Sequence, residues 1–493
     1  MSGTERPDAI VIGASIGGLA AAATLARGGL SVVVLEAHNR IGGLCTTAPL
    51  GEGFSAPLVA HALYALDPRI VKELKLAKKG LRFAVRDMPL VGLRPDGRHV
   101  VLTRDPHATA RVLALHSKAD AEAWPAHRKA FLALARALRA SWWEEGARGA
   151  LDDRLEPFRR MGAAAWLDAA FESDALKATL AFDATEGGLS PLEPGSALTL
   201  LWRAAQEMCG LQDAVAVPAG GPGALATALA AAAKDAGAEI RTGARVARIL
   251  TSEHAVTGIE LASGETVAAP RVLSSLARHA TLCELLEAAD AGFGRAMACG
   301  RARPRVGEAK IVLALDAPPV FGGIAVPAGA RFVLADRLAA HAAAHAAAET
   351  GRLAHDPPIE ITRPVTGEAA LAPSGQHLLS AHIRPVPIDP PEGWEALKPK
   401  LLERFYAALA PHMPDLARHA TRAEVLVPGD FAARFGHTDD GNTLAHMLSD
   451  WQTRICTPVA GLTLCGAAAE PVPAISGRAG RIAAQRILRE AKR

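Results

Sequence analysis

Two short apolar runs flank an alanine-rich segment close to the start of the chain. Residues 8–13 and 30–36 are rich in valine, isoleucine and leucine, as expected for strands that are buried on both faces. Residues 18–27, between them, have the composition and length of a short helix. This order predicts a βαβ unit, in which a helix joins two parallel strands.

The pattern changes further along the chain. Helical periodicity predominates in residues 107–212, which also contain most of the tryptophans. Residues 301–440 mix strand-like runs, such as 309–315, with an alanine- and histidine-rich helix and a proline-rich stretch. Residues 213–300 and 441–493 return to short apolar strands and glycine-flanked helices. The chain is therefore predicted to alternate between two kinds of structure.

The composition is that of an ordinary globular protein. The chain has 493 residues, of which 50% are hydrophobic and 21% are charged, and this excludes an intrinsically disordered chain. The formal net charge is only +3 at pH 7, so no strong field exists to attract nucleic acid or an acidic membrane. Nucleic acid is therefore not an expected partner, whereas peripheral membrane contact and the oligomeric state are left open.

Two further features bear on location. Residues 9–26 contain no charge, but alanine and glycine supply most of them and no positively charged end precedes them, so a spanning helix is not expected. The six cysteines form no C-x-x-C pair, which argues against a zinc knuckle or a redox dithiol and favours a reducing compartment. The sequence thus predicts a cytoplasmic protein.

The turn between the first strand and the helix carries the candidate cofactor chemistry. Gly13, Ser15 and Gly18 occupy the three positions of a dinucleotide fingerprint, with serine in place of the second glycine. Small residues there allow a sharp bend, close approach of a pyrophosphate and tight helix packing. Glu36 ends the second strand, 23 positions after Gly13, where a carboxylate can accept ribose hydroxyl groups. The alternative is an α/β turn that binds no nucleotide.

These residues resemble the start of the amine oxidase and phytoene desaturase superfamily of FAD enzymes. The resemblance continues through Arg40, Gly42 and Gly43, which add a second glycine pair beyond the ribose position. Within the superfamily the chain resembles the pyridine nucleotide-disulphide oxidoreductase domain-containing protein 2 group most, and carotenoid isomerase and retinol saturase more distantly. Cys45 has no second cysteine close behind it, so dithiol chemistry is not expected despite that name. The resemblance implies FAD as the cofactor.

The same resemblance recurs near the middle and at the end of the chain. A strand near the middle is implied to contact the adenine, and the C-terminal motif is implied to approach the ribitol, the phosphates and the pyrimidine edge of the flavin. Negative charge gathers at that edge on reduction, and a helix N-terminus stabilises it. The residues concerned are Val246, Gly466, Ala467, Ile475 and Ser476. Residues 470–474 depart from the family pattern, which has a His-Pro and several glycines there.

The fold class that the resemblance implies is α/β, with a GR2-type Rossmann FAD-binding domain interleaved with an α+β substrate domain. Residues 1–106, 213–300 and 441–493 would form the FAD-binding domain. Residues 107–212 would form the helical part of the substrate domain, and residues 301–440 its sheet and remaining helices. A second dinucleotide fingerprint does not occur in the sequence, so a separate domain for a nicotinamide cofactor is not expected.

No motif identifies a catalytic base, so the candidates come from position. His61 lies in a segment that, in relatives, runs beneath the flavin toward the substrate, and His446 lies beside a family Gly-Asn stretch. Glu186 is an acidic residue among apolar neighbours. Each side chain can accept a proton. The alternative for the histidines is a hydrogen-bonded core or loop residue, and for Glu186 a solvated charge.

A second histidine pattern invites a metal site. His341, His345 and Glu349 recur at intervals of four residues and so share one face of a helix, a spacing that can bind zinc. The segment lacks the H-E-x-x-H arrangement, and its alanine filling predicts a solvated surface helix instead. No metal site is therefore expected.

The sequence thus predicts an FAD-dependent oxidoreductase of the dehydrogenase or desaturase type. It would act on a carbon–carbon bond of a largely apolar small molecule and pass the electrons to an acceptor such as oxygen or a quinone. A redox-neutral double-bond isomerase, as in the carotenoid isomerase relatives, is one alternative. A binding protein without flavin chemistry is another, because GDP-dissociation inhibitors and Rab escort proteins resemble this fold.

Overall fold

The βαβ unit expected at the start of the chain is present, and distant segments extend its sheet. The structure, a computed structural model, describes residues 6–143, 153–287, 304–322, 329–364, 371–436, 454–470, 472 and 474–492. Its strands are β1 (Ala9–Ile12), β2 (Val32–Leu35), β3 (Thr47–Gly51), β4 (Phe54–Pro57), β5 (Phe83–Val85), β6 (Leu90–Gly92), β7 (Val100–Leu102), β8 (Glu207–Met208), β9 (Leu211–Gln212), β10 (Val217–Pro218), β11 (Glu239–Arg241), β12 (Val246–Ser252), β13 (Ala255–Leu261), β14 (Thr266–Ala268), β15 (Val272–Ser274), β16 (Val306–Leu315), β17 (Arg331–Leu334), β18 (Ile359–Thr362), β19 (His377–Pro387), β20 (Ala420–Leu426) and β21 (Leu462–Leu464). Its helices are α1 (Ile16–Arg27), α2 (Pro68–Glu73), α3 (Pro106–Leu113), α4 (Lys118–Trp143), α5 (Glu156–Arg160), α6 (Ala163–Ala170), α7 (Asp174–Ala184), α8 (Ser196–Ala205), α9 (Gly223–Asp235), α10 (Leu338–Glu349), α11 (Trp394–Leu409), α12 (Leu416–His419), α13 (Pro428–Phe435) and α14 (Arg478–Glu490).

A five-stranded parallel sheet has the order β11-β2-β1-β15-β21. Residues of β1 alternate between its faces: Ala9 and Val11 pack with α1, α9 and α14, whereas Ile10 and Ile12 pack with the antiparallel meander β12–β14. Both faces are covered, which is why the strands read as continuous apolar runs. Because all five strands run in one direction, the residues that follow β1, β2 and β21 lie at the same edge of the sheet.

This sheet takes its strands from three parts of the chain. β1 and β2 come from residues 9–35, β11 and β15 from residues 239–274, and β21 from residues 462–464. The intervening segments form other structure, so the sheet is interleaved with the rest of the fold as the resemblance implied.

A seven-stranded sheet has the order β20-β16-β19-β18-β17-β6-β7, with every pair antiparallel except β17 and β6. In β16, Ala309 and Ile311 pack against α11, whereas Val312 and Ala314 pack against the hairpin β3–β4 and α13. By this alternation Lys310 lies on the face that is directed at the hairpin, and so toward the parallel sheet.

The strands β6 and β7 belong to this second sheet, although they fall within residues 1–106, which the sequence division places with the first domain. Each strand has only three residues, so the hydrophobic pattern of the sequence did not show which strand it pairs with. The helices α3–α8 form a separate apolar core around Trp124, Phe158 and Trp202. The pairing of β6 with β17 places β6 and β7 in the seven-stranded sheet. The predicted domain boundaries themselves stay a prediction.

Two features relate to the expectations about location. Within the described part of the chain, no helix combines the length and the apolar character needed to cross a membrane. Cys45 and Cys465 are buried free thiols, whereas Cys283 is disulfide-bonded, which the absence of a C-x-x-C pair did not predict.

Candidate active site

The fingerprint turn is shaped by contacts that leave no room for side chains. Gly13 has a φ of +87°, which favours glycine. A Cβ on Gly17 would lie 2.2 Å from the carbonyl oxygen of Cys465, and a Cβ on Gly18 would lie 2.2 Å from that of Gly13. Ser15 caps α1, because its Oγ accepts the N–H of Gly18 at 3.3 Å. Serine at the second fingerprint position therefore stabilises the N-terminus of α1. Glycine at position 18 allows the helix to pack closely against the turn.

Glu36 is buried at the end of β2, and its carboxylate binds the backbone of two loops. One oxygen accepts the N–H of Ala14 at 2.8 Å, and the other accepts the N–H of His38 at 2.9 Å. The sequence assigned this carboxylate to a ribose alone. The geometry gives it a second role, since it also holds the fingerprint turn in place, and each oxygen keeps a lone pair for a further donor.

This double role predicts the effect of Glu36→Gln. An amide has one accepting oxygen, so either Ala14 or His38 would face an N–H group. We expect FAD affinity to fall at least about tenfold, and the free energy of unfolding without FAD to fall by about 1–3 kcal/mol. Quenching of flavin fluorescence measures the first effect and urea denaturation the second. The matched variant Glu52→Gln, at an exposed position, should change neither; unchanged FAD affinity in Glu36→Gln would place the ribose elsewhere.

The C-terminal motif packs directly on the fingerprint turn. A Cβ on Gly466 would lie 2.1 Å from the carbonyl oxygen of Ser275. Glu470 is buried; one of its carboxylate oxygens accepts the hydroxyl of Ser476 and, at 3.0 Å, the N–H of Ala479 in the first turn of α14. A carboxylate of the chain itself thus caps the helix that the resemblance directs at the flavin.

Three cavities lie in a row along these motifs. The fingerprint cavity, of about 300 Å³, is lined by Gly13, Ser15, Glu36, Gly43 and Val246 among others. The bridging cavity, of about 50 Å³, lies at the N-terminus of α1 and is lined by Ser15, Gly42, Gly466, Ile475 and Ser476 among others. The central cavity, of about 200 Å³, is lined by His61, Glu186, Ala467 and Ile475 among others.

The row has the features that an extended dinucleotide requires. Leu44 and Ala467 line all three cavities, so the cavities are contiguous. The fingerprint cavity offers a carboxylate that can accept ribose hydroxyl groups, and the bridging cavity offers a helix N-terminus that suits phosphate groups. The central cavity beyond them is wider than the bridging cavity. Glu470 lines the bridging cavity, and its second carboxylate oxygen is buried with Arg478 3.5 Å away and no hydrogen-bond partner among the described residues, so it can still accept a hydroxyl donor. The residues present therefore fit FAD.

Three of the residues singled out from the sequence are not placed in these cavities. Gly18 lines none of the three and packs instead against Gly13 and Ser275. Arg40 is exposed in the turn after β2 and lines none of the three. His446 lies outside the described residues, so its place is not given. The central cavity nevertheless brings His61 and Glu186 together, although 125 residues separate them in the chain.

The central cavity meets a group of charged side chains, most of which the sequence did not reveal. We call them the buried charged cluster; it consists of His61, Asp183, Glu186, Glu308, Lys310, Arg331, Glu360, His382 and Arg384. Lys310, His382 and Glu360 occupy directly paired positions on β16, β19 and β18, so their side chains lie on one face. The available signal was a charged residue within an otherwise apolar strand, most clearly Lys310.

His61 is engaged at both ring nitrogens. Its Nε2 lies 2.8 Å from Glu360, whose carboxylate can only accept, so Nε2 carries the proton and donates it. Its Nδ1 lies 3.0 Å from Nζ of Lys310, which donates to it. Burial, together with the charge of Lys310, holds the pKa of His61 well below its ordinary value. His61 is therefore neutral and anchored to the sheet.

Lys310 is fully buried between two imidazoles. Its Nζ lies 3.0 Å from His61 and 2.9 Å from Nε2 of His382. Burial lowers the pKa of Lys310 to about 7, although the carboxylates of Glu308 and Glu360 oppose that shift. A lysine in this state exchanges its proton near neutral pH.

Glu186 also lines the central cavity. Its Oε1 accepts the hydroxyl of Tyr64 at 2.9 Å, and its Oε2 accepts Nη1 of Arg384 at 2.7 Å. Arg384 in turn lies over the ring of Phe182, at 4.2 Å from its centre. The carboxylate therefore has a fixed position and a cationic neighbour, while each oxygen retains a lone pair.

The helix that carries His341 and His345 is not the solvated surface helix that its alanine content predicted. Both histidines are buried, and their Nε2 atoms lie 2.9 Å from the carbonyl oxygens of Ala178 and Gly188. Glu193 approaches Nε2 of His345 at 3.5 Å, whereas Glu349 approaches Nδ1 at 3.7 Å. Nε2 of His345 is already hydrogen-bonded to Gly188, and the two carboxylates approach different ring nitrogens, so we assign no metal to this group.

The interleaved parallel sheet, the fingerprint turn and the row of cavities define an FAD-dependent oxidoreductase. Residues 16–279 match the model of the family described as flavin containing amine oxidoreductase. The chain belongs to this family, which confirms FAD as the cofactor and the α/β fold class with an interleaved FAD-binding domain.

Individual relatives agree with this membership. The chain is 30% identical to the pyridine nucleotide-disulfide oxidoreductase domain-containing protein 2 of Rattus norvegicus, over 98% of this chain and 94% of that protein. It is 26% identical to the zeta-carotene-forming phytoene desaturase of Myxococcus xanthus, over 83% of this chain and 78% of that one. In fold it resembles the crystal structure of an oxidoreductase from Methanosarcina mazei, with a TM-score of 0.64 and 19% identity, over 98% of this chain and 99% of that chain.

Proposed function

We propose that the protein removes two hydrogens from a carbon–carbon bond of a small molecule with a largely apolar body. The observation that carries the proposal is the central cavity, where Ala467 and Ile475 of the C-terminal motif face the buried charged cluster. Apolar residues, among them Val59 and Leu63, line the space between them. The named activity of the Myxococcus xanthus relative, a phytoene desaturase, supports the same reaction type.

The chain's own part in this reaction is to hold the substrate, exclude water and take up a proton. FAD, when bound, supplies the two-electron acceptor for a hydride. Loss of a hydride from one carbon requires loss of a proton from its neighbour, so a base must face the same cavity.

Glu186 is the proposed base. It lines the central cavity, and hydrogen bonds from Tyr64 and Arg384 fix the position of its carboxylate. His61 lines the same cavity, but both of its ring nitrogens are hydrogen-bonded within the cluster, so it cannot accept a substrate proton without breaking one bond. We assign His61 to positioning: it ties the segment before α2 to the seven-stranded sheet.

The proposed reaction has a distinctive course under anaerobic conditions. Compounds with a saturated carbon–carbon bond beside a double bond, phytoene among them, are mixed with the FAD-loaded protein. A substrate should bleach the flavin absorbance in a single turnover and lose two hydrogens, because no acceptor is present to reoxidise the flavin. Rapid-scan absorbance and mass spectrometry measure the two effects.

The isomerase alternative gives a different result in the same apparatus. A chemically prereduced isomerase would convert its substrate repeatedly without oxygen, and product and substrate would have equal mass. Sustained anaerobic turnover of that kind would overturn the proposal. Oxygen or a quinone is the proposed acceptor in the complete reaction, and repeated turnover on adding either one identifies it.

A further inference from the structure

A larger cavity lies within the helical part of the fold, beside the central cavity. It measures about 650 Å³ and is enclosed by α4, α6, α7 and α8. Trp124, Phe131, Trp166 and Phe171 line it, with the rings of Phe131 and Trp166 centred 5.0 Å apart. We call it the aromatic cavity. Its volume is that of a site for a small organic molecule.

One wall separates the aromatic cavity from the central cavity. Asp183, Arg203, Val215 and Arg331 line both spaces. Arg331 is held by two carboxylates of the buried charged cluster, at 2.6 Å from Asp183 and 2.7 Å from Glu360. The guanidinium of Arg331 is therefore already paired with carboxylates of the protein. The other cation of this wall is Arg203, and its hydrogen bonding is incomplete.

Arg203 is buried, with 3% of its surface exposed, and its Nη1 has no hydrogen-bond partner among the described residues. Asp213 is 3.6 Å away and is itself bound by Arg128. The guanidinium also lies over the ring of Tyr64, at 4.3 Å from its centre. Nη1 therefore has only a long ion pair with Asp213, at 3.6 Å, and no hydrogen bond among the described residues. A carboxylate that enters the cavity would give it a charge-assisted hydrogen bond.

The other charges of the cavity favour an anion as well. Six arginine and lysine side chains line it, against three aspartates. Lys129 and Arg136 are among the exposed ones of the six. The aspartates Asp183 and Asp213 lie close to Arg203, so a singly charged carboxylate suits the site better than a doubly charged phosphate ester.

We propose that the aromatic cavity binds an organic carboxylate with an apolar body, and that its carboxylate pairs with Arg203. The apolar body lies against the rings of Phe131, Trp166 and Phe171. Because Arg203 belongs to the shared wall, the acid group is held beside the central cavity. That such an acid is also the substrate rests on the proposed function. The proposal of the binding site does not depend on it.

Binding is tested with the FAD-loaded protein and two probes of equal length, decanoate and the uncharged decanamide. Isothermal titration calorimetry should give saturable binding of decanoate, about tenfold or more tighter than that of decanamide. Equal affinities, or no saturable binding of decanoate, would overturn the proposal. This comparison uses the unaltered protein, so it does not depend on the folding of any variant.

Variants then locate the carboxylate. Arg203→Gln should remove the preference for decanoate and leave the affinity for decanamide unchanged, whereas Trp166→Ala should weaken both probes alike. Arg98→Gln removes an exposed arginine that does not line the cavity, and it should change neither affinity. A larger loss of decanoate affinity in Arg136→Gln, which removes an exposed lining charge, than in Arg203→Gln would place the acid at Arg136 and contradict the assignment. A protein that bleaches with substrate but does not prefer decanoate would retain the proposed function and lose this site.

Discussion

Replacing Arg331 with methionine is expected to lower the free energy of unfolding at pH 7 by about 3–5 kcal/mol. Arg331 is 7% exposed, and its guanidinium donates to Glu360 at 2.7 Å and to Asp183 at 2.6 Å. Methionine occupies a comparable volume but leaves two buried carboxylates without their cation. Urea denaturation of the FAD-loaded protein measures the loss.

The loss should depend on pH in a defined direction. Burial opposes ionisation of Asp183 and Glu360, but the charge of Arg331 overcomes it and holds the pKa of each below its ordinary value. Their contribution is therefore complete at pH 7 and is lost only as pH falls through these lowered values. In the variant the main opposition to burial is lost, although Arg203 still faces Asp183 and both His61 and Arg384 still face Glu360. Both pKa values rise, so the folded variant takes up protons at higher pH than the unaltered protein and regains stability relative to it as pH falls from 7 to 5. The difference between the two proteins should narrow over that interval.

Arg98→Met is the matched control, because Arg98 pairs with Asp96 at 2.8 Å where both side chains are largely exposed. An ion pair in water contributes little, so the denaturation midpoint should not move. Equal losses in the two variants would show that the buried charged cluster is no more important to stability than a surface pair.

The first βαβ unit could be predicted because its information is local. The strand β1 and the fingerprint turn follow one another directly, and each residue type there suits its own backbone position. The double role of Glu36 could not be seen in the same way. Its bond to Ala14 joins residues that are 22 positions apart, and it depends on how β2 lies beside β1.

The buried charged cluster could not be predicted, since most of its members meet only through strand pairing. Lys310 and His382 are 72 residues apart in the chain and face each other across β16 and β19. The segment 309–315 is correctly predicted as a strand, but a strand's own pattern does not specify its neighbour or its register. The charged position within that apolar run was a visible sign that the polar face met another polar group.

The helix α10 shows the opposite error. Its alanine filling suggested a solvated surface, yet small side chains also permit close packing, and His341 is fully buried against α7. A histidine that donates to a backbone carbonyl is compatible with burial. Composition alone therefore did not distinguish an exposed alanine-rich helix from a closely packed one.

Glu186→Gln is expected to slow anaerobic reduction of the flavin by substrate by about 10²–10⁴-fold, the usual contribution of a positioned base. Glutamine retains an oxygen that can accept the hydroxyl of Tyr64, but it cannot take up a proton. Stopped-flow absorbance with a compound that bleaches the unaltered protein gives the rate constant. The bound FAD per chain, measured on the same samples, should be unchanged.

A structural effect of Glu186→Gln can be separated from loss of a base. Glu193→Gln makes the same substitution seven positions later, at a side chain that is 42% exposed and does not line the central cavity, so its rate should match that of the unaltered protein. Glu186→Asp keeps the carboxylate at a shorter reach and should recover part of the rate. Undiminished reduction in Glu186→Gln would assign the proton to another acceptor and contradict the proposed role of Glu186.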